Sequence, residues 1–234
     1  MHPFSIPDEL ASAITRRRGH LHAFREIDAK RTALLVVDMQ NAFVKEGAGH
    51  SYVPTAASIC PNINRLAASL RARGGLVVWI LNTYTRESDQ SWSHFHQNLS
   101  MPAGFKRRSE TMAADTHGHE LYATLEPEPE DLRLKKTRYS AFIAGSSGLE
   151  ETLRARGIDT LLITGTATNV CCESTGRDAM MLNFKTILVS DGCAAQTDAI
   201  HAASLHGFML NFGDVYDTNE AIGLLEQSTR AAAE

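Results

Sequence analysis

Several features are missing from this sequence, and each absence excludes a class of protein. The 234 residues contain only four cysteines and no C-x-x-C pair, so a structural zinc site is not expected. Asp and Glu (27) outnumber Lys and Arg (23), which gives no support to nucleic-acid binding. No apolar run reaches the roughly 18 residues of a membrane span, and no signal-peptide pattern opens the chain. We therefore expect a cytoplasmic protein with neither a nucleic-acid nor a membrane partner.

Motifs for cofactors and for serine hydrolysis are missing as well. Neither Gly74-Gly75 nor the turn at 165–167 forms a G-x-G-x-x-G or phosphate-loop motif, and no G-x-S-x-G is present. His94 and His96 have a spacing that could bind a metal or supply a base. No carboxylate–histidine set accompanies them, so a lid or surface pair is the favoured interpretation. The sequence predicts no cofactor and no metal.

Apolar runs alternate with helical patterns along most of the chain. The predicted strands cover 32–37, 76–81, 131–136, 160–164, 186–189 and 214–216, and the predicted helices cover 8–18, 56–73, 149–156, 168–184, 195–210 and 218–225. This alternation implies an α/β fold of three layers, with a mostly parallel, Rossmann-like sheet of about six strands and helices on both faces. With no repeat or linker, residues 32–234 are predicted to form a single domain. An N-terminal arm, 1–31, precedes it and is expected to wrap the surface or a neighbouring subunit.

The polar segment 83–119 follows the second strand and carries two histidines, a tryptophan and two phenylalanines in its first part. A long irregular segment inside a compact domain is usually a functional loop or lid. We expect that role here.

Chemically useful side chains follow the predicted strands. In parallel sheets the ligand crevice lies beyond the carboxyl ends of the strands. Asp38, Asn82, Lys136, the turn 165–172 and Asp191 occupy those positions. A carboxylate, a lysine and a cysteine therefore converge on one edge of the sheet.

Cys171 and Cys172 fall in the predicted first turn of a helix, with Thr168 or Asn169 as its cap. Such a position lowers the pKa of a thiol and favours the reactive thiolate. The same position also suits two small buried residues, and position alone leaves both interpretations open. Asp38 could accept the thiol proton or simply end its strand. Lys136 could support the pair or, like Lys135, face solvent.

Three stretches resemble the isochorismatase-like cysteine hydrolase superfamily. They are ALLVVDMQNAF at 33–43, KTRYSAF at 136–142 and GTATNVC at 165–171, and the match continues through 173–179. They occur in the order and spacing of that superfamily, and the resemblance covers residues 30–225.

The resemblance implies a catalytic triad of Cys171, Asp38 and Lys136. Cys171 attacks a carbonyl carbon, Asp38 carries its proton to the departing ammonia, Lys136 steadies the charges, and water hydrolyses a thioester. It also implies a cis peptide between Thr166 and Ala167, which aims the N–H groups of Ala167 and Cys171 at the oxyanion. Cys172, where the family usually has an aliphatic residue, is expected only to pack.

The substrate is predicted from finer similarity. Nicotinamidases of this superfamily carry a metal-binding Asp–His–His set after the second strand, and 82–86 lacks it. The motifs look most similar to the branch acting on ureido and carbamoyl compounds, such as ureidoacrylate, N-carbamoyl amino acids, biuret and triuret. The expected partner is thus a small amide. The alternatives are an isochorismatase-type or nicotinamidase-like hydrolase and a non-catalytic binding member.

Pocket residues are predicted from their proximity to the strand ends. The candidates are Gln40, Asn41, Asn82, Tyr84, Arg86, Trp92, Phe95 and Arg138. An inward Arg86 or Arg138 would favour a carboxylate-bearing substrate, whereas neutral amide donors would favour biuret or triuret. The resemblance further implies a homo-oligomer, expected to be a tetramer.

Overall fold

Six parallel strands form a single sheet at the centre of the molecule. A computed structural model describes residues 1–231 of the chain. The strands are β1 (Thr32–Val37), β2 (Leu76–Asn82), β3 (Leu132–Lys136), β4 (Thr160–Thr166), β5 (Lys185–Ala194) and β6 (Asp214–Tyr216). Their order is β3-β2-β1-β4-β5-β6, and each neighbouring pair is parallel. The predicted α/β fold is confirmed.

Helices connect the strands and cover both faces of the sheet. They are α1 (Asp8–Arg18), α2 (Asn41–Val44), α3 (Cys60–Arg71), α4 (Arg86–Ser91), α5 (Pro102–Thr111), α6 (Leu149–Arg154), α7 (Glu173–Met181), α8 (Asp198–Asn211) and α9 (Thr218–Ala231). Short π-helical segments occupy Phe95–Leu99 and Thr168–Cys172. Within residues 1–231, no helix is long and apolar enough to cross a membrane.

The core consists of two apolar layers, because successive residues of a strand point to opposite faces of the sheet. Leu34 and Val36 of β1 belong to the layer that α3 and α9 cover. Leu35 and Val37 belong to the opposite layer, which α6, α7 and α8 cover. All six residues of β1 are buried, as expected for the central strand of a sheet covered on both sides.

The strand order places a topological switch point between β1 and β4. From β1 the chain continues through β2 and β3 toward one edge of the sheet, and from β4 it continues through β5 and β6 toward the other. The helices after β1 and β4 therefore diverge, which leaves a crevice at the carboxyl ends of these two strands. Asp38 follows β1 and Cys171 follows β4, so both lie at this crevice.

The N-terminal arm packs on its own chain. Ile14 of α1 is buried in the apolar layer that α8 covers. His2 is also buried; its Nδ1 lies 2.6 Å from Oδ1 of Asp198, and its Nε2 accepts a hydrogen bond from the Ala195 N–H at 3.0 Å. The arm thus reaches the start of α8.

Three expectations about local structure need correction. The segment 83–119 is largely helical rather than irregular, because a capping box at Thr85 starts α4 and Pro102 starts α5. Helix α8 begins at Asp198 rather than at 195, since the Thr197 hydroxyl caps it by accepting from the Ile200 N–H. Strand β5 continues to Ala194, beyond its predicted end at 189, through an irregular register with β4.

Candidate active site

A buried ion pair joins the ends of β1 and β3. Nζ of Lys136 donates to Oδ2 of Asp38 at 2.8 Å and to the carbonyl of Arg138 at 2.9 Å. Both side chains are completely shielded from solvent, whereas Lys135 is exposed. Asp38 has a left-handed backbone (φ 53°), which a non-glycine residue adopts only where its surroundings enforce it. Here the Asp38 N–H donates to the Ile80 carbonyl of β2 at 2.9 Å.

Cys171 completes a cluster with this pair. The residue is 5% exposed, and the charges of Asp38 and Lys136 both act on its thiol. Oδ1 of Asp38 is buried and has no hydrogen-bond partner, so it is the carboxylate oxygen available to a proton. We call Asp38, Lys136 and Cys171 the strand-end cluster.

The electrostatics of the strand-end cluster differ from the expectation for a helix-start cysteine. Burial, reinforced by the negative charge of Asp38, raises the pKa of Cys171 from 9.0 to about 12, and the opposing effect of Lys136 is weaker. Burial lowers the pKa of Lys136, but the charges of Asp38 and Cys171 outweigh it and leave that pKa raised. The predicted acidification of the thiol was therefore wrong: Cys171 holds its proton, and Lys136 holds its charge.

The turn before Cys171 is fixed by contacts with β1 and α8. The peptide bond between Thr166 and Ala167 is cis. Gly165 has a φ of 113°, and a Cβ there would lie 2.0 Å from the Val37 carbonyl oxygen. The Thr166 hydroxyl donates to the Asp38 carbonyl at 3.0 Å. The end of β4 is thus tied to the end of β1.

Thr168 and Asn169 do not cap the helix that follows. The residues from Thr168 to Cys172 form the π-helical turn, and α7 begins only at Glu173 without a side-chain cap. The Thr168 hydroxyl instead lies 2.9 Å from Nδ1 of His201 on α8. Cys172 is fully buried, with its thiol directed at the Thr164 carbonyl at 3.7 Å, which is a packing position.

Aromatic side chains from 83–119 and from the loop after β3 lie against one another. The Trp92 ring stacks on Phe95 with centroids 4.2 Å apart and meets Tyr139 edge-on at 5.0 Å. Arg108 of α5 reaches into this group, with its guanidinium carbon 5.6 Å from the Trp92 centroid and 5.4 Å from that of Phe95. We call Trp92, Phe95, Tyr139 and Arg108 the aromatic cluster.

Arg108 links the two clusters and was not predicted. It is 4% exposed, and its Nη2 donates to Oδ1 of Asn82 at 3.2 Å. Asn82 ends β2 and pairs in register with Lys136. Burial lowers the pKa of Arg108, while the charges of Tyr139, Cys171 and Asp38 act to raise it. The negative charge of Asp38 in the strand-end cluster therefore favours the charged form of Arg108.

Two predicted pocket residues beside Asp38 bind backbone. The Gln40 amide donates to the carbonyls of Asn82 (3.1 Å) and His119 (2.9 Å), and its oxygen accepts from the Asn82 N–H at 2.8 Å. The Asn41 amide donates to the His117 carbonyl at 2.9 Å. Gln40 in particular is completely buried and has its amide fully used, so its role in this structure is to hold the end of β2.

The remaining predicted residues divide by position. Arg86 is exposed at the start of α4. Arg138 is partly buried: its guanidinium carbon lies 5.2 Å from the Trp92 centroid, and its Nη2 donates to the Ser91 hydroxyl at 2.8 Å. The Tyr84 hydroxyl donates to Asp89, and burial together with that bond raises its pKa to about 12.

Other titratable side chains near the sheet have structural partners. The Asp191 carboxylate lies within β5 and accepts from the Thr218 N–H at 2.7 Å, so it anchors α9 rather than joining the crevice. His94 is exposed and His96 is buried against Trp92 and Phe105. In the part of the chain that the structure describes, no group of three or more His, Cys, Asp or Glu side chains could hold a metal ion.

Comparisons with known sequences give one family and several relatives. The profile of the Isochorismatase domain matches residues 32–220. Ureidoacrylate amidohydrolase RutB of Caulobacter vibrioides is 35% identical over 214 residues, which cover 86% of this chain and 94% of that protein. The protein of the same name from Methylorubrum extorquens is 36% identical over 204 residues, covering 81% of each chain.

Solved structures show the same architecture. A cysteine hydrolase from Pseudomonas syringae pv. phaseolicola superposes with a TM-score of 0.74 at 29% identity, covering 86% of this chain and 95% of that chain. N-carbamoylsarcosine amidase from Thermoplasma acidophilum superposes with a TM-score of 0.63 at 26% identity, covering 81% of this chain and 97% of its own.

Proposed function

The chain belongs to the isochorismatase family, and from that premise we propose that it is a cysteine-dependent amidohydrolase acting on ureido or carbamoyl compounds. Membership confirms the family resemblance of the three sequence motifs and makes the chain a hydrolase. The names of its relatives favour the finer assignment, since ureidoacrylate and N-carbamoylsarcosine both end in a ureido-type amide. The reaction is hydrolysis of that terminal C–N bond with release of ammonia.

The first step is attack by Cys171. Oδ1 of Asp38 takes the thiol proton as the sulfur forms a bond to the carbonyl carbon, which gives a tetrahedral oxyanion. The N–H groups of Ala167 and Cys171 donate to this oxyanion, and the Lys136 ammonium stabilises the negative charge that collects in the cluster. Lys136 keeps its proton throughout, consistent with its raised pKa.

The second step expels ammonia and the third consumes water. Asp38 returns its proton to the terminal nitrogen, the C–N bond breaks, and the acyl group remains on Cys171 as a thioester (a thiocarbamate when the substrate is a ureide). Asp38 then removes a proton from water, the hydroxide displaces the sulfur, and the thiol is restored with that proton. The products are ammonia and the carbamic or carboxylic acid.

The observation that carries this proposal is a buried, protonated thiol beside a carboxylate whose Oδ1 has no hydrogen-bond partner. A thiol with a pKa of about 12 is a poor nucleophile by itself at neutral pH. It requires a neighbouring base, and Oδ1 of Asp38, which is buried without a hydrogen-bond partner, can accept the proton. The two residues act as a unit.

The test is ammonia release from ureidoacrylate, N-carbamoylsarcosine, biuret, triuret and nicotinamide, combined with intact-mass analysis of the quenched enzyme. The native protein should release ammonia from at least one ureido compound and accumulate an S-acyl adduct. Cys171→Ala should lose at least about 10⁴-fold in rate and form no adduct. Cys172→Ala, in the same turn, is the matched control and should stay within about threefold.

Each contrary outcome rejects a specific part of the proposal. If the native enzyme releases no ammonia from any ureido compound, the proposed substrate class is wrong. Turnover that survives Cys171→Ala rejects Cys171 as the nucleophile.

A further inference from the structure

Arg108 is a buried cation that forms no ion pair with the described residues. In the described residues, 1–231, five other arginines form ion pairs with Asp or Glu, and Arg108 forms none. Its Nε is buried without any hydrogen-bond partner. A guanidinium has five N–H donors, and its one hydrogen bond to the protein goes to Asn82. Burying a charge without a partner is costly, so a site that retains one is suited to an anion that arrives from outside.

Arg108 lies toward the carboxyl ends of the strands. Asn82, its hydrogen-bond partner, is the strand-end neighbour of Lys136. The charges of Asp38 and Asp89 act on the guanidinium and oppose the effect of its burial. The rings of Trp92 and Phe95 lie against it, and these flat apolar faces exclude water and strengthen a charge pair formed between them. Arg108 thus reaches the carboxyl end of β2, next to the strand that carries Lys136.

We propose that Arg108 is the residue that selects the substrate, by pairing with a carboxylate at the end of the molecule opposite the ureido group. This assignment rests on the proposed function. It makes the preferred substrate a short ureido acid rather than neutral biuret or triuret. A carboxylate matches the fork of a guanidinium with two parallel hydrogen bonds, which a neutral amide cannot reproduce.

The two arginines predicted for this role are poorly suited to it. Arg86 is exposed at the start of α4, so solvent screens its charge. Arg138 is partly buried, but its Nη1 and Nη2 donate to Thr137 and Ser91 within the protein. Arg108 has the combination that an anion site needs, which is burial, free donors and contact with the residues around the nucleophile.

The matched probes are ureidoacrylate and its methyl ester, which differ only in the carboxylate charge. Steady-state kinetics on the native enzyme should show a preference for the acid of about 100-fold in kcat/KM. In Arg108→Gln this preference should shrink to less than about fivefold, mainly through a rise in KM for the acid. Arg108→Lys, which keeps the charge without the fork, should fall between the two. Arg86→Gln should match the native enzyme.

A binding measurement separates recognition from packing. In the inert Cys171→Ser background, calorimetric titration with ureidoacrylate should give a Kd about 100-fold weaker once Arg108→Gln is added. Melting temperatures of all variants show whether Arg108→Gln merely unfolds the protein, and Arg108→Lys remains informative if it does.

The outcomes distinguish the two proposals. Equal losses on the acid and the ester in Arg108→Gln, or a native preference for the ester or for biuret, overturn the role of Arg108 and leave the amidohydrolase in place. Absence of turnover of all these compounds by the native enzyme, with no S-acyl adduct, overturns the proposed function itself.

Discussion

The strand-end cluster and the aromatic cluster lie close together but are built in different ways. Asp38, Lys136 and Cys171 follow strands whose positions are fixed by parallel pairing within the sheet. The aromatic cluster comes from short helices, a π-helical turn and a loop, all outside the sheet. We propose bond cleavage for the strand-end cluster and substrate selection for the aromatic cluster.

This difference separates chemistry from selection. A sheet holds its strand ends rigidly, which suits groups that must meet within hydrogen-bond distance for a proton to move. A segment outside the sheet can change in length and composition without disturbing them. Substitutions in the strand-end cluster should therefore remove activity, and those in the aromatic cluster should redirect it. The following experiments test this separation.

The largest effect is expected when the buried ion pair is broken. Asp38→Asn removes the proton acceptor, so the rate of ammonia release should fall at least about 10³-fold. It also leaves the Lys136 charge buried without a partner, which should lower the free energy of unfolding by about 3–5 kcal/mol. Urea denaturation measures the second effect. Unchanged stability would show that water reaches Lys136.

A double substitution separates the two effects in the same pair. In Asp38→Leu/Lys136→Met both charges are removed, and replacing a buried ion pair with apolar side chains of similar size is often neutral for stability. Most of the unfolding free energy lost in Asp38→Asn should return, while ammonia release should remain absent. A double variant less stable than Asp38→Asn would contradict the argument.

The next largest effect concerns the reactivity of Cys171 in the absence of substrate. Because its pKa lies near 12 rather than 9.0, the rate of alkylation by iodoacetamide should keep rising with pH up to pH 11. At pH 8 it should be about 100-fold slower than in the same protein unfolded in urea. Peptide mapping by mass spectrometry resolves Cys171 from the other three thiols. A plateau near pH 9 would mean that Asp38 and burial do not control the thiol.

A smaller effect is expected from His201, which supports the turn that carries Cys171. Burial, followed by the charge of His2, lowers the pKa of His201 from 6.5 to about 4, and Asp198 opposes this shift. Between those values the unfolded chain binds a proton that the folded chain does not, so stability falls as the pH drops from 6.5 toward 4. At pH 5 the loss from this residue is about 2 kcal/mol.

The control for this prediction is an exposed histidine. Denaturation at pH 7 and pH 5 should show a smaller acid loss in His201→Asn than in the native protein, and an unchanged loss in His94→Asn. Equal acid losses in all three proteins would show that His201 is already protonated or that water reaches it.

The smallest effect compares the two tryptophans of the chain. Trp79 lies in the core of β2, and its Nε1 donates to Asp131 at 2.8 Å, whereas Trp92 belongs to the aromatic cluster. Trp79→Phe should cost about 2 kcal/mol of stability with the order of substrates unchanged. Trp92→Phe should change kcat/KM about fivefold at nearly constant melting temperature. The reverse pattern would remove the distinction between the clusters.

The convergence of a carboxylate, a lysine and a cysteine could be predicted because each lies at or just after the end of a predicted strand, and parallel strands bring such positions to one edge. The choice of Lys136 over Lys135 and of Cys171 over Cys172 came from the family resemblance. The acidity of Cys171 could not be predicted in this way. It depends on burial and on the Asp38 charge, and Asp38 lies 133 positions earlier in the chain.

Arg108 escaped prediction because it stands third in a run of three basic residues. Lys106 pairs with Glu110 at the surface, and Arg107 donates to the carbonyls of Gly47 and Gly49. Helical spacing could have predicted the burial of Arg108. Phe105, Arg108 and Met112 are three and four residues apart, so they share one face of α5 and its C-terminal cap. Met112 is completely buried, and Arg108 is directed inward with it.

The strand order also bears on how the chain folds as it leaves the ribosome. The half of the sheet made of β1, β2 and β3 is complete once Lys136 has emerged. The other edge of β1, an apolar strand, stays unpaired until β4 has been synthesised as far as Thr166. An open apolar edge invites pairing with other chains, so this interval is when the nascent protein is most exposed to aggregation. Cys171, the proposed nucleophile, emerges just after this interval ends.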